Sequence, residues 1–140
     1  MNVSEEAKNF NWLLVQFVQK TDGVQEAIAV SADGLLLAAS AGRQRENVEQ
    51  FAAITSGLIS LTGGASECFG FEGVEQVIVE MAKGYLFVTS IGGGSTLGVV
   101  ADSDCDIGLI AYEMTLLCQR AGAALTPMLV AELKNPLSIV

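Results

Sequence analysis

Three aspartates, Asp102, Asp104 and Asp106, alternate at the spacing that opens a calcium-binding loop, and Glu113 falls where the last ligand of such a loop would stand. Ile107 occupies the place where that loop needs glycine for its sharp turn, and the chain from Ile107 onward already has a helical period. An acidic helix start, favoured by the helix dipole, is the better account. Gly92-Gly93-Gly94-Ser95-Thr96 has the glycines of a phosphate loop but no lysine for the phosphates, and it joins two strands rather than opening a helix. It reads as a flexible hairpin connection. Cys68, Cys105 and Cys118 lack CxxC spacing and read as reduced, mostly buried thiols. Cys118 sits on an apolar stripe, and acidic neighbours oppose any thiolate at Cys105.

Histidine is absent from all 140 residues. That removes Ser-His-Asp and Cys-His nucleophiles, histidine zinc ligands, and any general base with an unperturbed pKa near neutrality. No catalytic residue, metal ligand or cofactor site is expected, and an enzyme is the least favoured class. A net charge of −9 with 7 Lys plus Arg leaves no cationic surface for nucleic acid or acidic lipid headgroups. Charged or Gly-rich segments interrupt every apolar run before the roughly 18 residues needed to span a bilayer. The start at Met1-Asn2 lacks a positive segment followed by an apolar block. The chain reads as soluble and cytoplasmic, without membrane insertion.

With 51% hydrophobic residues, 140 residues bury one sizeable core. A first helix is expected from Ser4, as cap, to about Lys20, with Ala7, Phe10, Leu13, Leu14, Phe17 and Val18 in one stripe. "AIAVSADGLLLAAS" (27–40) reads as a hairpin with a two-residue turn at Asp33-Gly34. Val24, Ile28 and Val30 are assigned to one face of its first strand, and Ala27, Ala29 and Ser31 to the other. The second strand, Leu35 to Ser40, is apolar throughout, as expected when helices cover both faces of a sheet.

A long second helix is expected from about Arg45 to Phe69, closed by Gly70. Three strands follow as a meander: Val74 to Ala82, Tyr85 to Ile91 and about Ser95 to Ala101. The last helix opens near Ser103, with Asp106 completing a capping box, and ends before Pro127. The expected fold is α/β, a five-stranded antiparallel sheet with helices on both faces in the order α-β-β-α-β-β-β-α. Residues 1–127 make one domain, and 128–140 form a C-terminal tail that either docks or stays loose.

The second helix carries one pattern that core packing does not explain. Ala53, Gly57, Ser60 and Gly64 put small residues along a single face away from the apolar stripe. Each helical glycine costs about 1 kcal/mol relative to alanine, so either a closely approaching neighbour compensates or the helix breaks near Gly63-Gly64 with Gly57 merely tolerated. Trp12 lies opposite the first helix's stripe and is a candidate partner contact. Arg43 and Arg45, the clustered arginines before and at the start of the second helix, are solvated charges or partner contacts, and neither is a strong arginine finger.

Three segments carry a family resemblance: "GVQEAIAVSADGLLLAAS" (23–40), the long helix after it, and "DIGLIAYEMTLL" (106–117). Over residues 5 to 125 the chain resembles the roadblock/LC7 domains, which include dynein light chains and bacterial regulators of Ras-like GTPases. It is most similar to the short actinobacterial type encoded in conservons beside a sensor histidine kinase and a small GTPase. The resemblance implies a profilin-like sandwich and a non-enzymatic adaptor. It implies a homodimer in which the second helices and following strands meet, here through Ala53, Gly57, Ser60, Gly64, Val77 and Val79. It also implies a Ras-like small GTPase as partner, with a sensor histidine kinase as a second candidate. A small-molecule sensor of the PAS-like type is the alternative, although the strands look too uniformly apolar to line a polar pocket.

Overall fold

The computed structural model of the chain describes residues 3–40 and 45–135, with the side chains of residues 45 and 46 excepted. Its elements are α1 (Glu5–Lys20), β1 (Val24–Val30), β2 (Leu36–Ala39), α2 (Arg45–Phe69), β3 (Val77–Met81), β4 (Gly84–Gly92), β5 (Ser95–Asp102), α3 (Ile107–Ala124) and α4 (Pro127–Lys134). The five strands form one sheet in the order β2-β1-β5-β4-β3, and every neighbouring pair is antiparallel. The expected meander is present, and its last strand returns beside the first hairpin.

Register assigns side chains to faces. Ala39, Ile28, Gly98, Val88 and Val77 stand in one row across the sheet, and Glu26, Val100, Leu86 and Val79 in another on the same face. That face is covered by α2. Ala27, Val99, Phe87 and Ile78 stand on the opposite face, beneath α1 and α3, which pack on each other, while α4 sits beside α1 and β2. The sheet thus has three helices on one side and one on the other.

The three-helix side holds the larger core. Phe10 and Leu14 of α1, Phe87, Leu97 and Val99 of the sheet, and Ile110 and Met114 of α3 are all without solvent contact. Burial of each such side chain contributes about 1.5–3 kcal/mol. Ser4 caps α1 as its position suggests, its hydroxyl accepting from the Ala7 amide at 3.1 Å. The α2 side has a thinner core of Ile28, Val30, Leu36, Val48 and Ala52, with Phe51 packed against it.

Close approach on that side depends on Gly98. A β-carbon there would stand 2.6 Å from Thr55 Oγ1 and 3.0 Å from Thr55 Cγ2, so α2 lies directly on the backbone of the central strand. The Thr55 hydroxyl is buried with no hydrogen-bond partner among the described residues. Packing against Gly98 accounts for its size and not for its oxygen.

Four sequence expectations are corrected. Val24 packs with Ala27 and Ala29 rather than with Ile28 and Val30, because the register shifts between Val24 and Glu26 and turns Val24 to the other face. The hairpin turn is not a two-residue one. Gly34 alone takes positive φ, its amide bonds the Ser31 carbonyl, and the Ser31 amide bonds the Leu35 carbonyl, which makes a three-residue loop. Asp33 keeps an ordinary φ and accepts a hydrogen bond from the Ser31 hydroxyl. The cap of α3 is Asp106, not Ser103: its Oδ1 accepts from Leu109 N at 3.1 Å, and Ser103 lies in the preceding turn. Finally, β3 begins at Val77 rather than Val74, because Gly73, just before it, is held back against α2 by the Ser66 hydroxyl.

Beyond Pro127, which stands at the first position of a helix rather than in a loose tail, the chain docks. Leu129 and Leu133 enter the larger core. Glu132 accepts a hydrogen bond from the Ser4 amide at 3.1 Å, and Lys134 Nζ lies 3.3 Å from Asp33 Oδ1.

Candidate interaction surface

The side of α2 turned away from the sheet is where the small residues lie. Ala53, Gly57, Ser60 and Gly64 are all exposed, and a β-carbon built on Gly57, Gly63 or Gly64 meets no atom within 4 Å. Among the described residues no other element closes on these glycines, so the close neighbour their pattern anticipates is not found there. Ile54 and Leu61, seven residues apart and so on one side of the helix, are exposed too, Leu61 by 75%. Sequence reasoning passed over both. The signal was there, since each is a large apolar residue off the stripe that faces the core.

Beside α2 runs the sheet's edge. Among the described residues β3 pairs with β4 alone, and no strand lies along its other edge. Val77 and Val79 are half-buried on the α2 face of that strand, and Met81 is exposed. The structure therefore brings together the six residues anticipated as an interface, from Ala53 to Gly64 on the helix and Val77 and Val79 on the strand, on one side of the molecule. Trp12 is exposed but stands on α1, across the sheet from them. Arg43 lies outside the described residues, and so does the side chain of Arg45.

The end of α2 is tightly closed. Gly70 takes φ 67°, the Gly70 amide bonds the Glu67 carbonyl and the Phe71 amide bonds the Ser66 carbonyl, a left-handed closure that satisfies the last carbonyls of the helix. The Ser66 hydroxyl then donates to the Gly73 carbonyl at 2.9 Å and accepts from the Gly73 amide at 2.8 Å. Between these ties Glu72 is held at φ 64°, which a side-chain-bearing residue seldom adopts. An open groove of about 690 Å³ runs along this end of α2, lined by Ile59, Ser60, Gly63, Gly64, Glu67 and Gly73 among others.

The residues weighed for chemistry have structural tasks. Asp102 Oδ1 accepts from the Asp104 amide and Asp106 caps α3. Among the described residues, no three His, Cys, Asp or Glu side chains converge as metal ligands would. Burial pushes the Cys118 thiol up to about 11. Cys105 is also raised, by burial first and then by Asp102, Asp106 and Asp104. Neither is a poised nucleophile. Cys68, expected inside, is exposed on α2. Gly92, Gly93 and Gly94 all take positive φ in the β4–β5 hairpin, which is the connection their spacing suggested.

A five-stranded antiparallel sheet with one long helix on one face and the terminal helices on the other is the roadblock architecture. The chain belongs to the Roadblock/LC7 domain family, whose pattern matches residues 10–101. A Roadblock/LC7 domain from Streptomyces avermitilis is 34% identical, with a TM-score of 0.75 over 79% of this chain and 92% of that one. MglB of Myxococcus xanthus shares the fold at 20% identity, with a TM-score of 0.77 over 85% of this chain and 96% of its own. An uncharacterized protein of Methanocaldococcus jannaschii is 29% identical over 97 residues, 69% of this chain and 80% of that protein.

Proposed function

We propose that this chain is a non-enzymatic adaptor that forms a homodimer through α2 and β3. In this reading the dimer binds a Ras-like small GTPase in the cytoplasm and biases its nucleotide state or the signalling complex around it. A sensor histidine kinase is a further candidate partner. The observation that carries the reading is the open small-residue face of α2 beside the unpaired edge of β3. A two-fold contact would let two α2 backbones approach where Gly57 and Gly64 leave room, and would give each β3 edge a partner strand. A GTPase seated on such a platform would be regulated through preferential contact with one of its nucleotide-dependent conformations.

The test is solution mass by light scattering, for the chain alone and mixed with the small GTPase encoded nearest to it, loaded with GDP or with a GTP analogue. A dimer that gains mass with one nucleotide state supports the reading. Gly57→Leu combined with Ser60→Leu should halve the mass of the chain alone while leaving its circular dichroism spectrum unchanged, because among the described residues a β-carbon at Gly57 meets nothing within 4 Å and Ser60 is exposed. A wild-type monomer indifferent to the GTPase in both states would sink the proposal.

A further inference from the structure

The C-terminal end of α2 carries a feature that the small-residue face does not explain. Phe69 and Phe71 stand on either side of Gly70 with ring centroids 5.6 Å apart, stacked, and they are 69% and 72% exposed. Stacked on each other, the two rings form a contiguous apolar patch rather than scattered exposed residues, and aromatic side chains are enriched among the anchors of protein contacts. The helix closure at Gly70 and the two bonds between Ser66 and Gly73 fix this segment in advance, so little ordering remains to be done on binding.

Its charge is one-sided. Between Arg45 and Lys83 the chain contains no Lys or Arg, while Glu67, Glu72 and Glu75 surround the aromatic pair in sequence and are all exposed. Glu67 and Glu72 also line the adjoining groove. A contact between two copies centred here would set these glutamates against their own equivalents in a chain of net charge −9. Anionic membrane is disfavoured for the same reason. The complementary occupant is a protein segment with an apolar anchor flanked by Arg or Lys.

The geometry points to the shelf formed by Glu67, Phe69, Phe71 and Glu72 as the docking site for a basic, apolar-anchored segment of a different protein, separate from the contact between copies. This deepens the adaptor reading and rests on it: the middle of α2 and β3 hold the second copy, and the end of α2 holds the client. The aromatic pair supplies the buried contact, and the glutamates supply orientation and speed of encounter.

The test uses the full chain, isotopically labelled, titrated at physiological salt with a synthetic amphipathic Leu/Arg peptide and with its Leu/Glu twin. The Leu/Arg peptide should shift the amides of residues 66–73 saturably, and the twin should not. Phe69→Ser with Phe71→Ser should weaken the Leu/Arg peptide about tenfold or more without changing the mass of the chain in solution. Glu67→Gln with Glu72→Gln, which leaves the rings in place, should weaken it several-fold and flatten its salt dependence. Shifts spread evenly over all acidic surfaces, with neither double variant altering affinity, would overturn the proposal. So would a halved mass in the phenylalanine variant, which would make the shelf a contact between copies. A wild-type monomer that still binds the peptide at residues 66–73 would fail the dimer reading while leaving the shelf standing.

Discussion

The two faces of the sheet are finished to different degrees. On one, α1, α3 and α4 seal a core in which Phe10, Leu14, Phe87, Ile110 and Met114 lose all contact with water. On the other, α2 alone lies across the strands, and its outward side shows Ile54, Leu61 and a row of small residues. The glycines tell the faces apart by what surrounds them. A β-carbon on Gly122 of α3 would stand 2.8 Å from the Ile91 carbonyl, and one on Gly98 would strike Thr55, whereas Gly57, Gly63 and Gly64 face empty space. The first pair is needed for close packing within this chain, and the second group meets no such neighbour among the described residues.

That contrast can be broken most forcefully at Phe10. Phe10→Ala opens the sealed core and should cost about 3–5 kcal/mol in denaturant unfolding, whereas Leu61→Ala, on the open side, should cost under about 0.5 kcal/mol at low protein concentration. If α2 is buried between copies, the Leu61→Ala cost will grow as concentration is raised, since unfolding then includes dissociation. A cost for Leu61→Ala as large as that for Phe10→Ala in the dilute chain would erase the distinction between the faces.

Gly98→Val should cost about 2–3 kcal/mol, because α2 must lift from the sheet to clear the new side chain. Gly63→Ala is its counterpart on the open side, where the added methyl meets nothing and the helix gains about 1 kcal/mol in unfolding free energy. A destabilised Gly63→Ala would show that this stretch of α2 is not the empty surface the structure describes.

The last expected effect is confined to alkaline pH. The Cys118 thiol is raised from 9.0 to about 11 by burial, so the folded chain keeps a proton that the unfolded chain releases. The resulting contribution is complete below pH 9.0 and is lost as pH climbs to about 11. Unfolding midpoints followed across that window should fall less steeply in Cys118→Ala than in the wild type, and parallel curves would refute the assignment.

Much of the fold was legible because period and capping leave marks in sequence. The stripe of α1, the Gly70 stop and the order of elements are all local signals. What escaped was decided by hydrogen bonds with little trace in composition. The register shift near Val24 reverses a face, Asp106 wins the cap from Ser103 because its carboxylate reaches the Leu109 amide, and Ser66 delays β3 by holding Gly73. The small-residue face could be located from helical spacing alone, yet its openness could not, because an empty neighbourhood is a property of the whole arrangement. Nothing in the sequence marks Phe69 and Phe71 as exposed, since exposure of an aromatic residue depends on how the next turn folds back.

The hydrogen bond from Ser4 to Glu132 also has a practical use. It places the first and last helices side by side at the β2 end of the sheet, with the β3 edge at the far end. A short glycine-rich bridge from residue 135 back to residue 3 should therefore yield a circularly permuted chain. Reporters fused at these ends would hang clear of α2 and β3, so that assembly could be watched by energy transfer without obstructing it.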